Sequence, residues 1–130
     1  MKIVIAGCRD YNNYDDAKQF IDICINKLSN KGNIVILSGG ARGADALGER
    51  YAKENCYQIE RFPADWARYG RGAGIKRNQQ MAKTCDIAIC FWDMKSKGTK
   101  SMIDFLQKYK KPIFIKRISQ FDAAQTHFQT

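Results

Sequence analysis

Short aliphatic runs alternate along the chain with longer stretches in which apolar residues recur every three or four positions. Five runs read as strands: KIVIAG from Lys2, NIVILS from Asn33, YQIERF from Tyr57, DIAICFW from Asp86 and PIFIKR from Pro112. Four helices are expected between them. The first spans about Tyr14 to Leu28, with Ala17, Phe20, Ile21, Ile23, Cys24, Ile25 and Leu28 on its apolar face and Gly32 near its C-cap. The second spans about Gly43 to Asn55, with Ala44, Leu47, Tyr51 and Ala52 at helical spacing, and the third about Ile75 to Thr84. The fourth, TKSMIDFLQKYK, ends before Pro112. Strand and helix alternating in this way predict a single doubly wound α/β domain. Its sheet is five-stranded and mostly parallel, with helices on both faces. It covers residues 1–117, and a polar tail follows over 118–130. No internal repeat, low-complexity segment or linker divides the chain.

In a doubly wound sheet, ligands bind in the crevice beyond the carboxyl ends of the strands. The unusual residues gather there: AGCRD after the first strand, SGGARGAD after the second, FWDMKSKGT after the fourth, and the basic stretch RFPADWARYGRGAGIKRNQQ after the third. The connections that follow helices, such as SNKG and KENC, are plain turns. A glycine-rich turn leading into a helix presents backbone N–H groups beside the positive end of the helix dipole, which suits a phosphate. Gly7, Gly39, Gly40 and Gly43 allow close approach, and Arg9, Arg42 and Arg77 are placed to converge on one anion. The plainer reading assigns the glycines to tight turns and the arginines to solubility. Gly98 and Thr99 open the last helix as a second N–H cradle or an ordinary cap. Trp92 and Asp93 end a strand at the crevice mouth, where an indole stacks on a base and a carboxylate accepts from a base or ribose, or where the indole simply forms a wall. Asp45 is the first choice for a ribose contact, against helix capping or a pair with Arg42, and Glu49 lies one helical turn further on the same face.

Charge narrows the class of partner. Lys and Arg total 22 against 13 Asp and Glu, a formal +9 in 130 residues, which favours phosphate-bearing partners by long-range attraction. No apolar run approaches the ~20 residues of a membrane span, so a soluble, cytoplasmic protein without membrane partners is expected. The five cysteines form no CxxC pair and are odd in number, which reads as free thiols, four of them in or beside apolar segments. With His127 the single histidine, neither a histidine-based metal site nor a histidine triad has enough material.

The elements IAGCRDY, SGGARGADALGERYAKE, RFPADWARYGRGAGIKRNQQMA, DIAICFWDMKSKGTKSMID and KPIFI, in this order from about Lys2 to Lys116, resemble the SLOG superfamily of Rossmann-like domains, in particular its cpYpsA-related, YspA-like members. The resemblance implies binding of a nucleotide or an ADP-ribose-derived ligand, as related domains are thought to do in bacterial and phage conflict systems, and a homo-oligomer. The matching positions include Asn78 beside Arg77. Two wider likenesses point in different directions. Similarity to DprA implies single-stranded nucleic acid held by Arg9, Arg42, Lys76 and Arg77, with Trp66 or Tyr69 as a stacking face. Similarity to LOG phosphoribohydrolases rests on Gly98, Thr99 and Arg77, but Met102 stands where that pattern has its glutamate. Hydrolysis of an N-glycosidic bond then needs Asp45, Glu49 or Asp104 in its place. The sequence favours a binding module and leaves enzymatic activity open.

Overall fold

In a computed structural model, which describes residues 1–29 and 32–119, all five strands pair in parallel in the order β3-β2-β1-β4-β5. The strands are β1 (Lys2–Gly7), β2 (Val35–Ser38), β3 (Gln58–Arg61), β4 (Ile87–Trp92) and β5 (Ile113–Arg117). Each runs within the stretch its hydrophobic pattern marks. The helices are α1 (Tyr14–Asn26), α2 (Ala44–Glu54), α3 (Trp66–Tyr69), α4 (Ala73–Thr84) and α5 (Lys97–Lys108). The short α3 and the 3-10 turn Gly70–Gly72 after it occupy a stretch read from sequence as loop. Asp65 starts α3 by accepting from Arg68 N at 3.1 Å, a local cap that four residues of pattern are too short to announce. His127 and the rest of segment 120–130 lie outside the described residues.

The core follows from the two-residue period of the strands. Ile3, Ile5, Ile87, Ile89 and Phe91 face one side and pack with Ala17, Ile21 and Ile25 of α1 and Leu47 and Tyr51 of α2. Val4, Ala6, Leu37, Ala88 and Cys90 face the other side and pack with Met81 and Ala82 of α4 and Met102, Ile103 and Leu106 of α5. Two helices on each face is what right-handed crossovers produce when the chain winds outward to β3 and then returns past β1 to β4 and β5. The core extends to Ile118, whose N–H donates to Trp92 O at 2.9 Å. Cys8, Cys24, Cys85 and Cys90 are buried free thiols, and Cys56 is exposed. Among the described residues, no cluster could hold a metal ion and no helix is long and apolar enough to cross a membrane.

Helix α2 lies directly on β1. A Cβ built on Gly48 would stand 2.8 Å from both Cβ and Cγ2 of Ile5. On helix propensity alone Gly48→Ala gains about 1 kcal/mol, but forcing a methyl into this contact costs about 1–3 kcal/mol. A net loss of about 1 kcal/mol in urea unfolding is expected; a gain would mean that α2 stands further from the sheet.

Candidate functional site

Because β1 and β4 are neighbours joined through crossovers of opposite direction, their carboxyl ends open the switch-point crevice between them. Gly7 pairs with Phe91, and Cys8 N donates to Phe91 O at 3.1 Å, so the β1 exit stays beside β4. The Cys8 carbonyl then accepts from Ala44 N at 3.1 Å, which docks the start of α2 against that exit. Gly43, the N-cap of α2, has φ 79°, and a Cβ there would come within 2.4 Å of the Cys8 and Arg9 carbonyl oxygens. Only glycine fits that approach.

Two adjoining cavities occupy the crevice. The first, about 330 Å³, has an apolar floor of Ala6, Met81 and Met102 and polar sides formed by Asp45, Asn78, Ser96 and Thr99. Gly7 and Gly98 complete it. The second, about 530 Å³, lies over Gly39, Gly40, Arg42, Arg61, Pro63, Ala64 and Trp66. Arg9, Ala41 and Arg77 line both.

Arg77, Asn78 and Arg42 are each held by identifiable partners. Arg77 Nη1 donates to Gly39 O at 2.6 Å and Arg77 Nε to Asn78 Oδ1 at 3.0 Å, while Asn78 Nδ2 reaches Gly98 O at 3.3 Å. The Arg77 and Asn78 pair therefore ties the glycine turn of β2 to the first turn of α5. Burial lowers the pKa of Arg77 from its usual value, and the positive charge of Arg9 lowers it further, while Asp45 raises it. Arg42 pairs with Asp10 at 3.6 Å, not with Asp45.

Asp45 sits in the first turn of α2, 7% exposed, and accepts from Ala41 N at 3.2 Å. Burial raises its pKa from 3.8 to about 6, against the lowering effects of the Ala41 N–H, Arg77 and Arg9 and with a small push from Glu49. Glu49 does not line either cavity. It accepts from Ser38 Oγ at 2.7 Å and from Arg61 Nη2 at 2.7 Å. Burial pushes its carboxyl up, but the Arg61 and Ser38 bonds outweigh this and hold it below the usual value. Since Ser38 Oγ also accepts from Gly40 N at 3.0 Å, Glu49 braces both the glycine turn and the arginine at the end of β3.

Of the residues singled out from sequence, Gly7, Arg9, Asp45, Arg77, Asn78, Gly98 and Thr99 meet at the first cavity, and Gly39, Gly40 and Arg42 at the second, with Gly43 behind them as the cap. Trp92 and Asp93 line neither. The Trp92 indole packs against the core and donates Nε1–H to Ser96 O at 3.1 Å, while Asp93 Oδ1 accepts from Lys95 N and Ser96 N. Asp104 is exposed and pairs with Lys100 at 3.0 Å. Thr99 N is already capped by Ser96 Oγ at 3.4 Å. Ser96 and Arg61 were not singled out from sequence, although Ser96, three residues before Thr99, carries an N-cap signature and Arg61 ends β3 where the strand-end rule points.

An open parallel sheet with this strand order, a glycine and arginine turn after β2 and a crevice at the switch point define a Rossmann-like α/β domain. The chain belongs to the YspA, cpYpsA-related SLOG family, whose model matches residues 1–69. It is 33% identical over 86 residues to the Gene 61 protein of Mycobacterium phage D29, spanning 62% of this chain and 69% of that one. In structure it is similar to DNA processing protein A (DprA) from Streptococcus pneumoniae, with TM-score 0.70 and 18% identity over 98% of this chain. The chain spans 56% of that protein's length. It is also similar to DNA processing protein A from Helicobacter pylori, a single-stranded DNA binder, with TM-score 0.64, 24% identity, and coverage of 99% of this chain and 72% of that one. These two likenesses show the shared fold.

A carboxyl carried from 3.8 to about 6 by burial disfavours the folded state once ionised. Because the native carboxyl binds its proton more tightly than the unfolded one, stability falls as pH rises from about 4 to about 6 and levels off above. Asp45→Asn, which keeps an acceptor for Ala41 N, is expected to be about 1–3 kcal/mol more stable than wild type at pH 7. The advantage should vanish below pH 4. Urea unfolding across that range measures it, and a pH-independent difference would show that Asp45 is not buried in this way.

Proposed function

We propose that this domain binds a phosphate-bearing nucleotide, with ADP-ribose-derived ligands in the same class. The phosphate lies at the wall between the cavities, within reach of the Arg9 and Arg77 guanidiniums. The observation that carries this reading is the sharing of Arg9, Ala41 and Arg77 by both cavities at the switch point. Arginine suits this role because its planar fork donates two parallel bonds to a phosphate. Asp45, Asn78 and Thr99 supply donors and acceptors for ribose hydroxyls beside an apolar floor.

Binding is favoured over hydrolysis of an N-glycosidic bond. Met102 forms part of the floor of the first cavity at the position where the phosphoribohydrolase likeness has a carboxylate. Asp45 is the carboxyl in that cavity, and a group titrating near pH 6 in a cleft is a candidate acid or base. A hydrolytic role would rest on it, since Glu49 and Asp104 are engaged elsewhere.

A second reading, single-stranded nucleic acid, is favoured by the face formed by α3 and the start of α4. Trp66 is 57% exposed, and the Arg68 guanidinium and Lys76 ammonium lie 5.2 and 5.6 Å from the centre of the exposed Tyr69 ring. Exposed aromatics among cations are what strand binding uses, and the structural relative from Helicobacter pylori binds single-stranded DNA.

Calorimetric titration with AMP, ADP and ADP-ribose separates the readings when wild type is compared with Arg9→Ala. Removing one charge-assisted contact, worth about 1.5–3 kcal/mol, is expected to weaken nucleotide binding at least tenfold without lowering the melting temperature. Unchanged affinity would remove Arg9 from the site. Binding of oligonucleotides alone, falling steeply with salt, would put the strand reading first.

A further inference from the structure

The two cavities differ in chemistry, and the difference bears on what kind of ligand joins them. The smaller cavity concentrates hydroxyl-binding groups, namely Asp45, Asn78, Ser96 and Thr99, above a methionine floor. In the larger cavity the cations Arg42 and Arg61 border Pro63, Ala64 and the exposed Trp66, a surface suited to a flat ring. Ligand sites generally occupy about 300–1,000 Å³, so each cavity by itself accepts a sugar or a base, and the two together accept both.

The wall between them is also connected to the Trp66 platform. A Cβ built on Gly74 would lie 3.7 Å from Arg77 Nη2 and 3.8 Å from Trp66 Cη2, so the guanidinium and the indole edge both border the first turn of α4 at that residue. On the other side, a Cβ built on Gly39 would lie 2.8 Å from Arg77 Nη1 and 2.9 Å from Asp45 Oδ2. Arg77 therefore stands between the aromatic surface of one cavity and the buried carboxyl of the other. The charge of Arg9 acts on both Asp45 and Arg77.

We propose that one ligand occupies both cavities, with a phosphodiester or diphosphate at the Arg9 and Arg77 wall, a base stacked on Trp66, and a hydroxyl-rich group against Asp45, Asn78 and Thr99. This deepens the nucleotide reading and rests on it. The ligand class is an organic phosphate substituted on both sides, as opposed to a terminal phosphate monoester. A terminal monoester leaves one cavity to solvent and carries an extra negative charge toward Asp45. A bridging phosphate fills both cavities with less charge per phosphate. Such a unit occurs in free dinucleotides and nucleotide sugars and as the repeating link of a nucleic-acid strand.

The test titrates wild type, Trp66→Ala and Asn78→Ala with four probes: AMP, ADP-ribose, the dinucleotide ApA and a twelve-residue oligo(rA). ADP-ribose or ApA is expected to bind at least tenfold more tightly than AMP. Trp66→Ala and Asn78→Ala should each remove about tenfold of that affinity, consistent with loss of a stacking face in one and of hydroxyl contacts in the other. Melting temperatures and circular dichroism confirm that both variants fold. An oligo(rA) affinity well above that of ApA, with a steep fall in salt, assigns the two-sided phosphate to a strand; equal affinities assign it to a free dinucleotide. AMP binding as tightly as both two-sided probes, or either variant binding them like wild type, overturns the proposal and leaves the nucleotide reading intact. No binding of any probe overturns both.

Discussion

The parallel pairing of β1 with β2 on one side and β4 on the other is the constraint from which the crevice follows. At that point the chain's direction of winding reverses, and α2 leaves on one face of the sheet and α5 on the other. The hydrogen bonds from Cys8 N to Phe91 O and from Ala44 N to Cys8 O hold the β1 exit between β4 and the start of α2. Gly43 makes this approach sterically feasible, and the glycine turn is left lining the crevice with Arg9 beside it. Arg9, Asp45 and Arg77 meet at the carboxyl end of the sheet because the exits of β1 and β2 and the first turns of α2 and α4 converge there.

Within the crevice, the electrostatics depend on burying one acid next to two bases. Asp45 is a cost to the fold at neutral pH, since burial outweighs the Ala41 N–H and the two arginines in setting its pKa. The same burial lowers the pKa of Arg77. An anion at the wall would offset the repulsion between Arg9 and Arg77 and push Asp45 further toward its protonated form. Glu49 is kept apart from this balance by Ser38 and Arg61, which hold it as a brace for the turn. Two carboxyls one helical turn apart thus serve different ends, one facing the cavity and the other supporting its wall.

The fold was legible in the sequence because short aliphatic strand runs alternate with helices of eleven to thirteen residues whose period is plain. All five strands and the four long helices could be read, and the strand-end rule located the crevice residues from Gly7 to Thr99. The stretch 66–72 escaped because a four-residue helix held by Asp65 leaves no period. The placement of Trp92 and Asp93 depended on side-chain hydrogen bonds to the Ser96 backbone, which spacing does not show. The division of labour between Asp45 and Glu49 likewise turns on which face of α2 meets β2 and which meets the crevice. Arg61 enters the site through the third strand's exit, where the sequence shows a basic stretch without singling it out, while Trp66, named as a stacking face, lines the larger cavity.

As proposed, an anion binds at the shared wall of the two cavities. A titration of AMP into the isotopically labelled protein, followed by amide ¹⁵N–¹H spectra, tests it most directly, since a 14.9 kDa chain is well suited to that measurement. Concerted shifts of the amides of Gly40, Ala41 and Arg42 together with those of Arg9, Gly98 and Thr99 are expected, because these come from three separate chain segments that meet only at the crevice. Shifts confined to the outer face of α1 and α2, or none at saturating nucleotide, would contradict the account.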